Sequence, residues 1–251
     1  MLLSKDVEIL DGLPVLFIRP LSALVCSDLH LGYEGVMADS GSFLPKINLK
    51  NAKLILSKAA KETLPECLIV DGDIKNEFSK VHAEEFNEFS EFVGFVKEDL
   101  RIKRVILIKG NHDNFIDRLK EPLGFEVHTQ EALLGDFLFF HGEELPRTKE
   151  GKFLAMGHVH PAISVYNNFG MREKLRCFLY GRLKDKREIV VLPAMNYFAE
   201  GVGVNAGENL EEMAPIFKKM LDVDKMEAFC IGEDETLKFG KVGDLKKLPF
   251  K

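Results

Sequence analysis

Five short apolar runs in this sequence each end in a cluster of Asp, Asn, His and Gly, and this pattern narrows the possible folds more than any other feature. Residues 24–26 lead into Ser27-Asp28-Leu29-His30, residues 67–70 into Asp71-Gly72-Asp73, and residues 105–108 into Gly110-Asn111-His112-Asp113. Residues 137–140 lead into His141-Gly142, and residues 153–156 into Gly157-His158-Val159-His160. Short apolar runs bounded by turn residues read as strands buried on both faces. Such strands need covering layers on either side, which makes this an α/β chain. In α/β sheets ligands gather outside the carboxyl ends of the strands, so five strand ends would aim their polar side chains at one rim.

The segments between these runs supply the layers. Residues 7–19 read as two strands broken at Asp11-Gly12, and residues 132–134 and 137–140 as a hairpin around Gly135-Asp136. Residues 49–64 carry apolar positions at helical spacing. So do residues 79–100, where Phe86, Phe89, Val93, Val96 and Leu100 recur at steps of three and four behind Ser79 as N-cap. Residues 177–182 and 189–192 read as strands, residues 215–221 as a helix started by Pro215, and residues 227–239 as a hairpin around Glu233-Asp234. The Gly-rich stretch 201–207 is spaced GxGxxxG and reads as a turn, not a dinucleotide loop. No linker composition interrupts the pattern. We therefore expect one domain over residues 1–251, with residues 205–251 as a short helix-plus-hairpin extension.

Composition excludes several classes. Thirty-four Lys and Arg stand against 40 Asp and Glu, a net charge of −6, so the chain does not grip nucleic acid or acidic lipid by bulk charge. No apolar run approaches the roughly 20 residues that span a bilayer, and the N-terminus lacks the basic-then-apolar pattern of a signal peptide. The four Cys are far apart with no CxxC pair, and read as small buried hydrophobes in a reducing cytoplasm. His82 and His128 lie outside the strand-end clusters and read as surface residues.

The rim chemistry is that of divalent cations. Carboxylate and imidazole donors together favour Zn²⁺, Mn²⁺ or Fe²⁺ over Ca²⁺ and Mg²⁺, which prefer oxygen. Seven candidate donors are too many for one tetrahedral ion and suit two ions sharing a carboxylate. Such a pair can clamp the attacking and leaving oxygens of a phosphoryl transfer.

The order Asp28-x-His30, Gly72-Asp73, Gly110-Asn111-His112-Asp113, His141, Gly157-His158-x-His160 resembles the calcineurin-like metallophosphoesterase superfamily. Gly32-Tyr33-Glu34, Phe43-Leu44-Pro45, Leu192-Pro193-Ala194 and Phe239-Gly240 are similar to the small archaeal ICC-like, SbcD-related members. The resemblance implies a four-layer α/β/β/α sandwich of mixed sheets with a dimetal site at its strand ends. It further implies that Asp28, His30 and His160 bind one metal, that Asn111, His141 and His158 bind the other, and that Asp73 bridges them. His112 would be the catalytic imidazole and Asp113 its orienter. Mn²⁺ is the first expectation for the cofactor pair, with Fe, Zn or Ni as alternatives.

The expected activity is hydrolysis of a phosphodiester in a small or nucleotide-like substrate, by a hydroxide held between the ions. Relatives that resemble double-strand-break repair nucleases commonly carry His three residues after the bridging Asp; this chain has Asn76, which can hydrogen-bond a phosphate oxygen but cannot deliver a proton. The repair nucleases also carry a DNA-binding cap, for which residues 205–251 are too few. The basic stretch 172–187 interleaves seven Lys and Arg with Glu173 and Asp185 and reads as a solvated face. Tyr33, just after the first motif, is a candidate to stack on a substrate ring. Nuclease action on DNA or RNA is the alternative reading. A non-catalytic metal-binding interaction module is a third, and retention of every motif residue argues against it.

Overall fold

Alternation along the short strands sets the layers. In β3 (Ala23–Cys26) all four residues are fully buried; Ala23 and Val25 join one apolar cluster, Leu24 and Cys26 another. A strand with two apolar faces has to be covered on both sides. A computed structural model, which describes residues 1–77, 83–166 and 171–247, supplies the covers. Ser79 and His82 lie outside the described residues.

Among the described residues the strands form two mixed sheets. The first runs β1 (Val7–Ile9), β2 (Leu16–Ile18), β3, β4 (Cys67–Asp71), β5 (Arg104–Ile108), β6 (Glu126–His128) in that spatial order. The β1–β2–β3 pairings are antiparallel and β3 to β6 are parallel. The second contains β7 (Glu131–Leu134), β8 (Phe137–Phe140), β9 (Phe153–Met156), β10 (Pro161–Tyr166), β11 (Arg172–Arg182), β12 (Glu188–Val191) and β13 (Val202–Gly203). Its order is β13-β10-β11-β12-β9-β8-β7. The hairpin of β14 (Glu227–Ile231) and β15 (Thr236–Lys241) pairs with β11. Strands β8, β9 and β12 are mutually parallel neighbours.

Three apolar layers hold these parts together. Val25, Ile69 and Ile106 of the first sheet pack against Phe139, Ala155 and Val190 of the second. On the outer face of the first sheet, Leu24, Leu68 and Leu107 meet Leu56 and Ala59 of helix 48–63 and Phe89 and Phe92 of helix 83–94. On the outer face of the second, Leu154, Leu179 and Val191 meet Leu210, Ile216, Phe217 and Leu245. The result is the expected α/β/β/α sandwich. Its helices on the first-sheet side are α1 (Tyr33–Asp39), α2 (Asn48–Thr63) and α3 (Ala83–Gly94).

The structure departs from the expectations in four places. The expected helix to Leu100 leaves the α-conformation at Phe95 and finishes as a π-helical turn over Phe95–Asp99. Residues 227–241, expected only as a hairpin, also join the second sheet: β14 hydrogen-bonds to β11 over Cys177–Tyr180, and Val242 and Leu245 fill the outer apolar layer. His128 is the half-buried last residue of β6 and not a surface residue outside a strand. The Gly-rich stretch opens as β13 before turning over residues 204–207.

Candidate metal centre

The loops after β3 and β4 are laced together by their backbones. Asp28 N–H donates to Gly72 O (3.0 Å), His30 N–H to Asp73 O (2.9 Å) and Leu31 N–H to Ile74 O (2.8 Å). This lacing holds Asp28, His30 and Asp73 at positive φ of 56°, 46° and 50°. His158 and His160, after β9, are also left-handed, at 73° and 44°. Each such residue costs on the order of 1–3 kcal/mol and persists only where the surroundings over-determine it. Gly72 and Gly110 are required by close approach. A Cβ at Gly72 would strike the His141 ring, and one at Gly110 the Asp73 carboxylate.

The side chains that meet at this rim are those the strand-end pattern picked out. Asp73 Oδ2 lies 3.2 Å from His141 Nε2, and 3.9 Å from both His30 Nε2 and His112 Nε2. Asp28 Oδ1 lies 3.1 Å from His160 Nε2 and 3.8 Å from His141 Nε2. His30 and His160 face each other with Nε2 atoms 3.4 Å apart. The donor atoms fall into overlapping groups: Asp28, His30 and His160; Asp73, His141 and His158; and His30, Asp73 and His112. Asn111 contributes a buried Oδ1 that has no hydrogen-bond partner among the described residues.

Backbone carbonyls orient the imidazoles. His141 Nδ1 donates to Asp71 O (2.9 Å), which turns Nε2 toward Asp73 as the nitrogen that would ligate once its proton is lost. His158 Nε2 donates to Met213 O (3.2 Å), leaving Nδ1 as its free nitrogen. His112 Nδ1 donates to Asn76 O (2.5 Å). Here the structure corrects the sequence reading of Asp113. Its carboxylate is fully buried and does not orient His112: Oδ2 accepts from Gly110 N–H (2.9 Å), and Oδ1 from Ile74 N–H (3.0 Å) and Lys75 N–H (3.3 Å). Asp113 is a clamp between the loops after β4 and β5. Asn76 is thus present at the site through its carbonyl, and the Tyr33 ring is stacked on Phe198 with centroids 5.5 Å apart.

Sequence reasoning missed several supports. The Ser27 hydroxyl sits 2.6 Å from both Asp28 Oδ2 and Asp71 O. Buried Asn48 donates from Nδ2 to Leu29 O (2.9 Å) and His30 O (3.2 Å). Carbonyl partners leave no trace in residue type. Ser27 did carry a signal, lying directly beside Asp28 at the strand end.

The electrostatics are those of a site that attracts cations. Burial would raise the Asp28 carboxyl, but His160 and His141 beside it hold its pKa below the usual range. Burial would likewise raise Asp73, and His141, His30 and His112 hold it down. Burial pushes His141 down, and Asp73 and Asp28 override it to a value well above an ordinary imidazole; His160 is raised in the same way by Asp28. His30 goes the other way, to about 4, because burial outweighs its carboxylate neighbours. Protons on His141 and His160 thus occupy places where positive charge is favoured. Carboxylate, imidazole and amide donors, with the orphaned Asn111 Oδ1 among them, fit a pair of divalent cations.

A family model described as calcineurin-like phosphoesterase matches residues 21–211. None of the curated proteins matches the chain. Among solved structures it is similar to the nuclease MPE of Pseudomonas putida, with 19% identity, a TM-score of 0.61, and coverage of 91% of this chain and 94% of that one. It is also similar to Yfce, a phosphoesterase from E. coli, with 16% identity, a TM-score of 0.42, and coverage of 87% and 98%.

Two outcomes test this geometry. Asp113→Ala strands three backbone N–H groups, at about 1–3 kcal/mol for each one left buried. Urea unfolding should therefore show a loss of at least about 3 kcal/mol. Parental stability with an altered pH–rate profile would instead restore Asp113 as the partner of His112. Metal uptake should also release protons at pH 7, because His141, held well above an ordinary imidazole, must lose its proton to ligate; His160, shifted in the same direction, adds to the release. Metal affinity should therefore weaken as pH falls through those raised values. Calorimetry in buffers of different ionisation enthalpy reads the release, and zero release would contradict the assignment.

Proposed function

The chain belongs to the calcineurin-like phosphoesterase family, and on that premise we propose that it hydrolyses phosphodiester bonds of a small, nucleotide-like substrate with the help of two divalent cations. The observation that carries this reading is the position of Asp73, whose Oδ2 is within 3.9 Å of His30 and 3.2 Å of His141, one from each donor group. Asp28, His30 and His160 would hold one cation, Asn111, His141 and His158 the other, and Asp73 would lie between. Mn²⁺ is the first choice for this mixed set, with Fe, Zn or Ni as alternatives. Bound there, the pair supplies Lewis acidity, making a water acidic near neutral pH and neutralising phosphate oxygens.

The chain's own residues supply positioning and proton transfer. The His112 side chain keeps 21% of its surface exposed where the His141 side chain keeps none, so substrate can reach the first imidazole and not the second. With Nδ1 donating to Asn76 O, His112 Nε2 is the atom that takes up or gives a proton. Protonated, it can pass that proton to the leaving alkoxide, and the Asn76 carbonyl stabilises the imidazolium. The Asn76 side-chain amide would hydrogen-bond a phosphate oxygen. Tyr33 contributes through the ring it stacks on.

The preference for a small substrate rests on charge. In the basic stretch Arg172 pairs with Glu208, Lys174 with Glu208 (3.4 Å), Arg182 with Glu188 (3.4 Å) and Arg187 with Asp185 (2.9 Å). Four cations thus share three carboxylates, which offsets most of their charge within the protein and weakens the case for a phosphate track. A nuclease reading is kept as the alternative, since the P. putida nuclease shares this fold. Four buried thiols fit a reducing cytoplasm.

A Mn²⁺-supplemented panel of a phosphomonoester, a phosphodiester, cyclic nucleotides, and single- and double-stranded DNA tests the reading. We expect turnover of the diester and cyclic nucleotides. His112→Ala should keep its metal and lose about 10²–10⁴-fold on poor leaving groups. Unchanged turnover in that variant would remove His112 from its role. DNA cleavage that falls steeply with salt, without diester turnover, would establish the nuclease instead.

A further inference from the structure

Segments bonded to the metal-binding loop carry an aromatic group that phosphoester chemistry does not use. We propose that Tyr197, backed by Phe198 and Tyr33, is a stacking platform for the base of a nucleotide-like substrate, and so selects base-bearing phosphoesters. The proposal rests on the phosphodiesterase reading for where the phosphate sits, and concerns only the group attached to it.

Backbone bonds fix this group to the metal-binding segment. Ser27 and Ala194 form a parallel bridge, Met195 N–H donates to Ser27 O (2.9 Å), and Asn196 N–H donates to Asp28 O (3.0 Å). Tyr197 N–H then donates to Asn48 Oδ1 (2.9 Å), and the same Asn48 amide donates to Leu29 O and His30 O. Tyr33 N–H in turn donates to His30 O (3.2 Å). Both aromatic residues therefore grow from backbone bonded directly, or through one buried side chain, to residues 28–30. The turn is closed by Phe198 N–H donating to Asn196 Oδ1 (2.7 Å).

The rings form one contact group on this rigid base. Tyr33 and Phe198 are stacked at 19°, and Tyr197 meets Phe198 edge-on at 5.3 Å and 83°. Phe198 and Tyr33 are half-buried, whereas Tyr197 is 50% exposed. An aromatic ring held in place by its neighbours, with half its surface free, can accept a planar ligand without an ordering cost. The Arg176 guanidinium donates to Ala194 O and Asn196 O (3.3 Å each), which braces the backbone that leads into Tyr197. A nucleotide combines these demands: its phosphate belongs at the cations, and its base is a flat π-surface one sugar away. Stacking of bases on aromatic side chains is tolerant of base identity, so the platform would select for a base and not among bases.

The test compares AMP with ribose 5-phosphate, which differ only in the base. Calorimetric binding to the Mn²⁺-loaded full chain should show AMP about tenfold tighter. Tyr197→Ala should abolish that difference by weakening AMP selectively, and Tyr197→Phe should keep it. The chain has four Tyr and no Trp, so quenching of tyrosine fluorescence by AMP, lost in Tyr197→Ala, gives an independent readout. Equal affinities for the two ligands in the parent, or an undiminished AMP preference in Tyr197→Ala, would overturn the proposal. If diesters are turned over while AMP and ribose 5-phosphate bind alike, the platform fails and the phosphodiesterase reading stands. If AMP is preferred through Tyr197 while no diester is turned over, the reverse holds.

Discussion

Two ionised carboxylates, Asp28 and Asp73, sit almost wholly out of water, 0% and 2% exposed. Isolated, each would carry a desolvation penalty of several kcal/mol. Around them the chain gathers His141, His160, His30 and His112, with Nε2 atoms 3.1 to 3.9 Å from a carboxylate oxygen. Burial opposes charge on the imidazoles as well, yet Asp73 and Asp28 override it at His141 and His160. The carboxylates hold positive charge beside them against that opposition, so ions with concentrated positive charge would suit the same places. The left-handed backbone at Asp28, His30, Asp73, His158 and His160 fits the same account. That strain aims each donor inward before any ligand arrives, and the loop lacing and the Asp113 clamp maintain it.

The sandwich explains why this constellation can exist. Strands β3, β4 and β5 are parallel neighbours in one sheet, and β8 and β9 are parallel neighbours in the other. Because Val25, Ile69 and Ile106 pack directly on Phe139 and Ala155, the two sets of carboxyl ends share one rim. The donors therefore come from segments spread over residues 28–160 while standing on rigid strand ends.

Much of this was legible in the sequence, and the misses have a common cause. The transition from apolar run to Asp, His or Gly is local, so Asp28, His30, Asp73, Asn111, His141, His158 and His160 could be placed together before any coordinates. Partnership is not local. Asp113 follows His112 in sequence, yet its carboxylate turns to three backbone N–H groups while His112 turns to the Asn76 carbonyl. No residue type encodes a carbonyl partner. The tail hairpin was visible through its turn at Glu233-Asp234, but alternation says that a strand exists and not which strand it joins, so the pairing of β14 with β11 was hidden. Strand β6 is too short to show a period. Strand β10 begins at Pro161 and carries a buried Ser164 whose backbone N–H is satisfied by Asn205, which masks it as a loop. Tyr197 gave no signal at all, because its place beside the site comes from Asn48, 149 residues away.

The central claim is that one carboxylate oxygen of Asp73 stands between two cation positions. Anomalous scattering from Mn²⁺-soaked crystals tests it most directly. The account predicts two peaks about 3.5–4 Å apart, flanking Asp73, one against Asp28, His30 and His160 and the other against Asn111, His141 and His158. A single peak, or two peaks that do not share Asp73, would contradict it.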